Sequence, residues 1–247
     1  IDAGMFSAPV IALALMRADR FYPRTLAPRA RGQLRESLAY VRGRTDIRII
    51  LVLIFVVSAL GMNFQMTSAL MATTVFGKDA GSFGILSSFM AVGSIMGATG
   101  AARRTPRLRT IVLGAAFYGA AEIALGLSPS YWFFALMSIP TGFGMLTMNT
   151  SANALIQTRT DPDKRGRVMA LYSLVFLGAT PIGSPLIGWV GRTMGARWAL
   201  LVGGIASFGV AAVCALWAAS NWRARLLRRP SFPWLGLDVD SSVDAPP

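Results

Sequence analysis

Three amide side chains, Asn149, Asn153 and Gln157, follow Met145 at successive steps of four residues. Residues four apart lie on one face of an α-helix, so this spacing draws a polar stripe along a single helix. A second group is Asn63 and Thr67, on a face with Met66 and Leu70 and with Gln65 close by. Amides in an apolar medium are costly unless they meet a partner or water. Two arrangements satisfy them: hydrogen bonds between helices, or the wall of a hydrated cavity that holds a polar substrate. In the cavity reading Asn63, Met66, Thr67, Met145, Asn149 and Asn153 contact the substrate, with the methionines supplying adaptable apolar surface. Glu122 stands apart as the charged residue inside an otherwise uncharged 49-residue stretch. Its ionised form is expensive in hydrocarbon, which makes it a candidate for coupling to protons, the alternative being a structural carboxyl.

Other chemistries lack their residues. The chain has no histidine, so a Ser-His-Asp triad, an HExxH zinc site and histidine-ligated haem are excluded. No G-x-x-x-x-G-K-[ST] phosphate loop is present, and no pair of aspartates falls in an apolar run. The single cysteine, Cys214, cannot form a disulfide within the chain. The reading is therefore not an enzyme, with no cofactor and no metal.

The elements that carry these residues follow from charge spacing. Of 247 residues, 54% are hydrophobic and only 14% charged, against roughly 25% charged in ordinary soluble domains. Long uncharged runs separate short basic clusters. A membrane-spanning helix needs about 20 apolar residues, and the runs give spans at 49–76, 82–102, 110–127, 131–156, 169–190 and 198–220. Ser128-Pro129-Ser130 punctuates the 49-residue stretch into two of them. A shorter run over 1–16 reads as the end of a truncated helix, because its arginines follow rather than precede it, unlike a signal peptide. Residues 17–48 form a polar segment in which Leu34, Leu38 and Val41 line one face of an amphipathic helix. Residues 221–247, with three Asp and three Pro beyond position 230, read as a disordered tail.

Net charge is +13, and its placement follows topology. The segments 17–48, 103–109, 157–168 and the tail hold 21 of the 24 Lys and Arg, and the alternate segments hold 3. That asymmetry places the first set and the C-terminus in the cytoplasm of an inner-membrane protein. The lipid bilayer accounts for the basic charge, and no nucleic acid is called for. Small residues and prolines are patterned too. Gly93 and Gly97 form a G-x-x-x-G, and Gly178, Pro181, Gly183 and Pro185 share one span. Such residues allow close packing or bending of helices.

The stretch Asp161-Pro162-Asp163-Lys164-Arg165-Gly166-Arg167-Val168-Met169-Ala170-Leu171-Tyr172, followed by Gly178, Pro181, Ile182 and Gly183, resembles a loop of the major facilitator superfamily. The likeness is to the branch of bacterial exporters that includes the enterobactin exporter and macrolide efflux pumps. Gln33-Leu34-Arg35-Glu36 with Tyr40-Val41-Arg42 resembles the amphipathic central loop before helix seven of that family. The resemblance covers residues 1–220 as the end of helix six through helix twelve. It implies an all-α polytopic bundle, the C-terminal six-helix half of a transporter whose partner is a missing N-terminal half. It also implies that helices seven and ten line a central cavity, that eight and eleven flank and gate it, and that helix nine, which bears Glu122, lies outside. Asp163, Arg165, Gly166 and Arg167 would then belong to a cytoplasmic gate or loop that fastens helices ten and eleven. One departure is clear: after Gly97 the loop carries Ala101, Arg103, Arg104 and Arg107, where the family often places an acidic residue. The resulting expectation is proton-coupled export of a drug-like or siderophore-like molecule, the alternative being a non-transporting membrane fragment or scaffold.

Overall fold

The computed structural model describes residues 33–227, and every regular element among them is helical. The expected helix end over 1–16, the first half of the central segment and the end of the tail lie outside the described residues. Helix α1 spans Gln33–Gly43. Its Val41 is buried whereas Leu38 is 45% exposed, so α1 meets the bundle at Val41 and leaves Leu38 open, as a surface helix does.

The run expected as one span over 49–76 is broken. Helix α2, Thr45–Val56, buries Ile47, Ile50, Leu51, Leu53 and Ile54. A π-helical turn follows at Val57–Gly61, then α3 at Phe64–Leu70 and a second π-helical turn at Met71–Val75. Between Gly61 and Phe64 the chain leaves the helix, with Asn63 at φ −104°, ψ 24°. Asn63 supplies substitutes for the lost ladder. Its backbone N–H donates to Gly61 O at 2.7 Å and its side-chain amide to Ala59 O at 3.0 Å. Hydropathy reads such a segment as continuous because every residue in it is compatible with helix. The interruption comes from a side chain competing for backbone acceptors, and π turns of this kind occur often at functional sites.

Five longer helices complete the described fold: α4 Ala80–Ala102, α5 Leu108–Gly126, α6 Tyr131–Arg159, α7 Pro162–Thr193 and α8 Ala196–Leu227. The connections are short and chemically marked. Gly77 (φ 60°) and Gly195 (φ 98°) take the left-handed conformation that glycine tolerates before α4 and α8 respectively. Asp79 caps α4 by accepting from the Ser82 N–H at 3.2 Å and hydroxyl at 2.9 Å. Those bonds hold its carboxyl below the usual carboxylate range. The cap is therefore complete at neutral pH and is lost as pH falls through the lowered pKa.

Pro162 begins α7 at the position helices favour for proline, so residues 162–168 are helical rather than part of a loop. Asp163, Arg165, Gly166 and Arg167 accordingly sit in the first turns of a helix. Pro181 and Pro185 lie within α7, which continues through both. The interrupted helix is the one holding Asn63.

Glycine sets the packing. A Cβ added at Gly93 or Gly97 would overlap the carbonyl oxygens of Ile139 and Phe143, so the G-x-x-x-G of α4 lies directly on the backbone of α6. Gly183 does the same against Ala59 O in the first π turn, whereas Gly178 has open space at its Cβ position. Five helical segments are long and apolar enough to cross a membrane: Thr45–Val75, Gly81–Ala102, Leu108–Gly126, Pro162–Thr193 and Ala196–Ala218. Helix α6, at 29 residues, has the length but not the apolar composition, because Thr147, Asn149, Thr150, Ser151 and Asn153 crowd its second half.

Candidate functional site: a cavity at the broken helix

The break at Met62–Asn63 opens on a cavity of about 720 Å³, within the range typical of small-molecule sites. Asn63, Gln65 and Met66 line one side, Ser87, Met90 and Ser94 of α4 another, with Met145 of α6 and Phe176, Thr180 and Ser184 of α7 completing it. All these side chains are neutral. Met66 is 39% exposed, offering a flexible apolar surface, while serine, threonine and glutamine supply hydrogen-bonding groups. Asn63 is held from both ends: the Ser184 hydroxyl donates to its Oδ1 at 2.7 Å, and its Nδ2 donates to Ala59 O. The amide thereby ties α7 to the interrupted helix at the cavity wall.

Three of the six expected substrate contacts, Asn63, Met66 and Met145, come together here. Thr67 does not. It is buried, and its hydroxyl donates back to Asn63 O at 3.1 Å. Asn149 and Asn153 line a separate groove of about 430 Å³ with Thr150, Ala154, Gln157 and Thr158, all on α6. Asn149 Oδ1 accepts from the Tyr172 hydroxyl of α7 at 3.0 Å, an interhelical bond, whereas Asn153 is bonded to Gln157 on its own helix. The stripe read from the sequence is therefore real along α6 but serves two places.

Sequence reasoning missed Ser87 and Ser94 on α4 and the α7 series Phe176, Thr180, Ser184. That series obeys the same i, i+4, i+8 spacing that marked the amides, and hydroxyls drew no notice because they are common in membrane helices.

At the end of the bundle that carries α1, a second cluster joins α1 and α2 to the α6–α7 corner. The Tyr40 hydroxyl donates to Asp161 Oδ2 at 3.1 Å, Arg44 Nη2 donates to Arg159 O at 2.8 Å, and Asp46 pairs with Arg44 at 3.6 Å and Arg159 at 3.5 Å. The Lys164 ammonium sits 4.7 Å from the centre of the Tyr40 ring. Asp163 and Arg165 are exposed and make no hydrogen bond or ion pair with another described residue. Tyr40, Arg44 and Asp46 thus tie α1 and α2 to this corner. The available signal was Asp46, an acid isolated among arginines immediately before the first full span. Arg44→Ala should lower the melting temperature in detergent, losing about 1 kcal/mol with the bond to the Arg159 carbonyl. The half-exposed ion pairs add little. Arg165→Ala should leave melting unchanged, and equal losses for the two variants would contradict this division.

Glu122 is 2% exposed on α5, wedged between the first π turn and α8. The helix that bears it touches the first π turn and α8 there, and none of its residues lines the cavity. No group of three or more metal-ligating side chains occurs among the described residues.

A family model described as transmembrane secretion effector matches residues 1–245. No curated protein and no solved structure matches the chain. The match joins the helical fold and the apolar spans in placing the chain among membrane transport proteins rather than enzymes. The chain belongs to the transmembrane secretion effectors, a family of the major facilitator superfamily.

Proposed function

We propose that this chain is the C-terminal six-helix half of a secondary active exporter that moves a moderately sized, partly apolar compound, drug-like or siderophore-like, with the proton gradient as its driving force. The observation that carries the reading is the cavity at the broken helix. Its volume suits a small molecule, its wall mixes methionine and phenylalanine with neutral hydrogen-bonding groups, and it lies where one helix is interrupted. Interrupted helices in transporters present backbone groups to a site near the middle of the membrane. The partner is an N-terminal bundle that supplies the opposite wall, and the polar groove of Asn149 and Asn153 would face it. Helix α6, fourth in chain order, brings the five apolar spans to six in this reading. Efflux of a panel of compounds from cells expressing the full-length protein tests the proposal. Export of at least one amphipathic compound, dissipated by a protonophore, is expected. Retention of every compound at the level of cells lacking the protein would overturn it.

Orientation follows from the basic segments: the α6–α7 corner and the C-terminus face the cytoplasm, and the Lys78 and Arg192 ends face outward. In intact cells an impermeant thiol reagent should label Lys78→Cys and spare Arg165→Cys until the membrane is permeabilised. The reverse pattern would invert the topology.

A further inference from the structure

Glu122 lies in a cradle made by two glycines. A Cβ on Gly61 would stand 2.6 Å from Ser207 Oγ and 3.1 Å from Glu122 Oε2, and a Cβ on Gly203 would stand 2.9 Å from Glu122 Oε1 and 2.6 Å from Leu60 O. The carboxyl is pressed between the backbone of the first π turn and that of α8 in space that any larger residue would fill. Glu122 Oε2 and Ser207 Oγ are both buried and have no hydrogen-bond partner. Tyr118, one turn before Glu122, is the titratable group beside it. Its hydroxyl has a single proton and donates it to Gly61 O at 2.7 Å. Around it the π turn presents Gly61 and the Leu60 carbonyl, α8 presents Gly203 and Ser207, and α6 lays Gly144 and Met148 against α5. None of these titrates, and no cation is paired with Glu122 among the described residues.

We propose that this cradle is a proton-binding site and that the break at Gly61–Asn63 carries its occupancy to the cavity. A carboxylate here faces carbonyl oxygens, its Oε2 accepts no hydrogen bond, and no cation among the described residues pairs with it, so an ionised form is costly in this place. A proton on Oε2 removes the unbalanced charge and turns the unmatched acceptor into a donor. A metal ion is a poorer occupant. Hard cations take about six oxygens, and only these two side-chain oxygens are unpartnered. The connection to the cavity is short. Gly61 O, which accepts from Tyr118, also accepts from the Asn63 N–H, and the Asn63 side chain bonds Ser184 on the far wall. When Glu122 loses its proton to water, the charge left against the π turn favours a different arrangement of Gly61 and hence of Asn63. This coupling rests on the transport reading, whereas the proton site itself does not.

The test uses the full-length protein in liposomes, without requiring a known substrate. Infrared spectroscopy should show a protonated-carboxyl band that vanishes on raising pH, is absent in Glu122→Gln and persists in Asp79→Asn, which alters an exposed acid. The second readout is Met66→Cys at the cavity wall in a Cys214→Ser background, labelled with a permeant maleimide. The ratio of its labelling rate to that in the added Glu122→Gln variant cancels the thiol's own pH dependence, and should change severalfold with pH. A band that survives in Glu122→Gln, or a ratio flat with pH, would overturn the proposal. If sodium chloride but not choline chloride alters labelling at fixed pH, and no carboxyl band is present, a metal ion fills the cradle and the proton assignment is wrong. If both proton readouts appear while no compound is exported, the site stands and the transport reading fails alone.

Discussion

Gly183→Val should separate α7 from the interrupted helix and abolish transport. Gly183 has the backbone of Ala59 where its Cβ would be, so the added atoms meet main chain rather than a movable side-chain end. Overpacking a tight site costs about 1–3 kcal/mol and sometimes more, and a backbone-on-backbone contact belongs at the upper end. The same contact holds Asn63 against Ser184, so moving the helices apart also breaks the cavity wall. Gly178→Val, one turn and a half away in α7, meets open space and should leave melting nearly unchanged. Thermal unfolding in detergent of the two variants side by side checks this. Equal melting temperatures would show that the π turn is not held by that contact.

Asn63→Ala should lower efflux by about tenfold or more, equivalent to about 1.4 kcal/mol, and lower melting as well. It removes a group on the cavity wall and strands both the Ser184 hydroxyl and the Ala59 carbonyl that it satisfies. The other two asparagines should behave differently from Asn63 and from each other. Asn149→Ala leaves the Tyr172 hydroxyl without its partner, at a cost of about 1 kcal/mol in membrane helices, with substrate preference unchanged. Asn153→Ala breaks only a bond along its own helix and should leave melting as it was. Efflux across the compound panel, paired with melting curves, separates the three. A loss of melting at Asn153 equal to that at Asn149 would mean both are interhelical glue.

The spans were legible because charge spacing and hydropathy do not depend on tertiary contacts. α4, α5 and α8 begin within two residues of the positions expected from the sequence, and α6 begins at the expected Tyr131. Two features were not legible. The start of α7 was read as loop because its charges suggested solvent, although Pro162 is a favourable first helical residue. The break at Asn63 was hidden because Gly61, Met62 and Asn63 sit inside an apolar run. Only the approach of Gly183 and Tyr118 from other helices reveals that this stretch does not run on as helix. The site was half legible for the same reason: spacing places Met145, Asn149 and Asn153 on one face, but only packing decides which turn of α6 meets the broken helix and which meets Tyr172.

The polarity of α6 bears on how the chain enters the membrane. A segment whose second half is rich in amides and hydroxyls gains little by passing alone from the insertion channel into lipid. Helix α5 is joined to it by only the few residues between Gly126 and Tyr131, and the α5 backbone at Tyr118 is close enough to Gly144 that a Cβ there would lie 2.8 Å away. The two therefore enter as a pre-paired hairpin. Glycosylation tags following residue 160 should report poor insertion of α6 by itself and efficient insertion of α5 and α6 together, with equal efficiencies contradicting the pairing. The order of synthesis thus becomes part of the fold, since α5 has to remain beside the channel until the ribosome has delivered its neighbour.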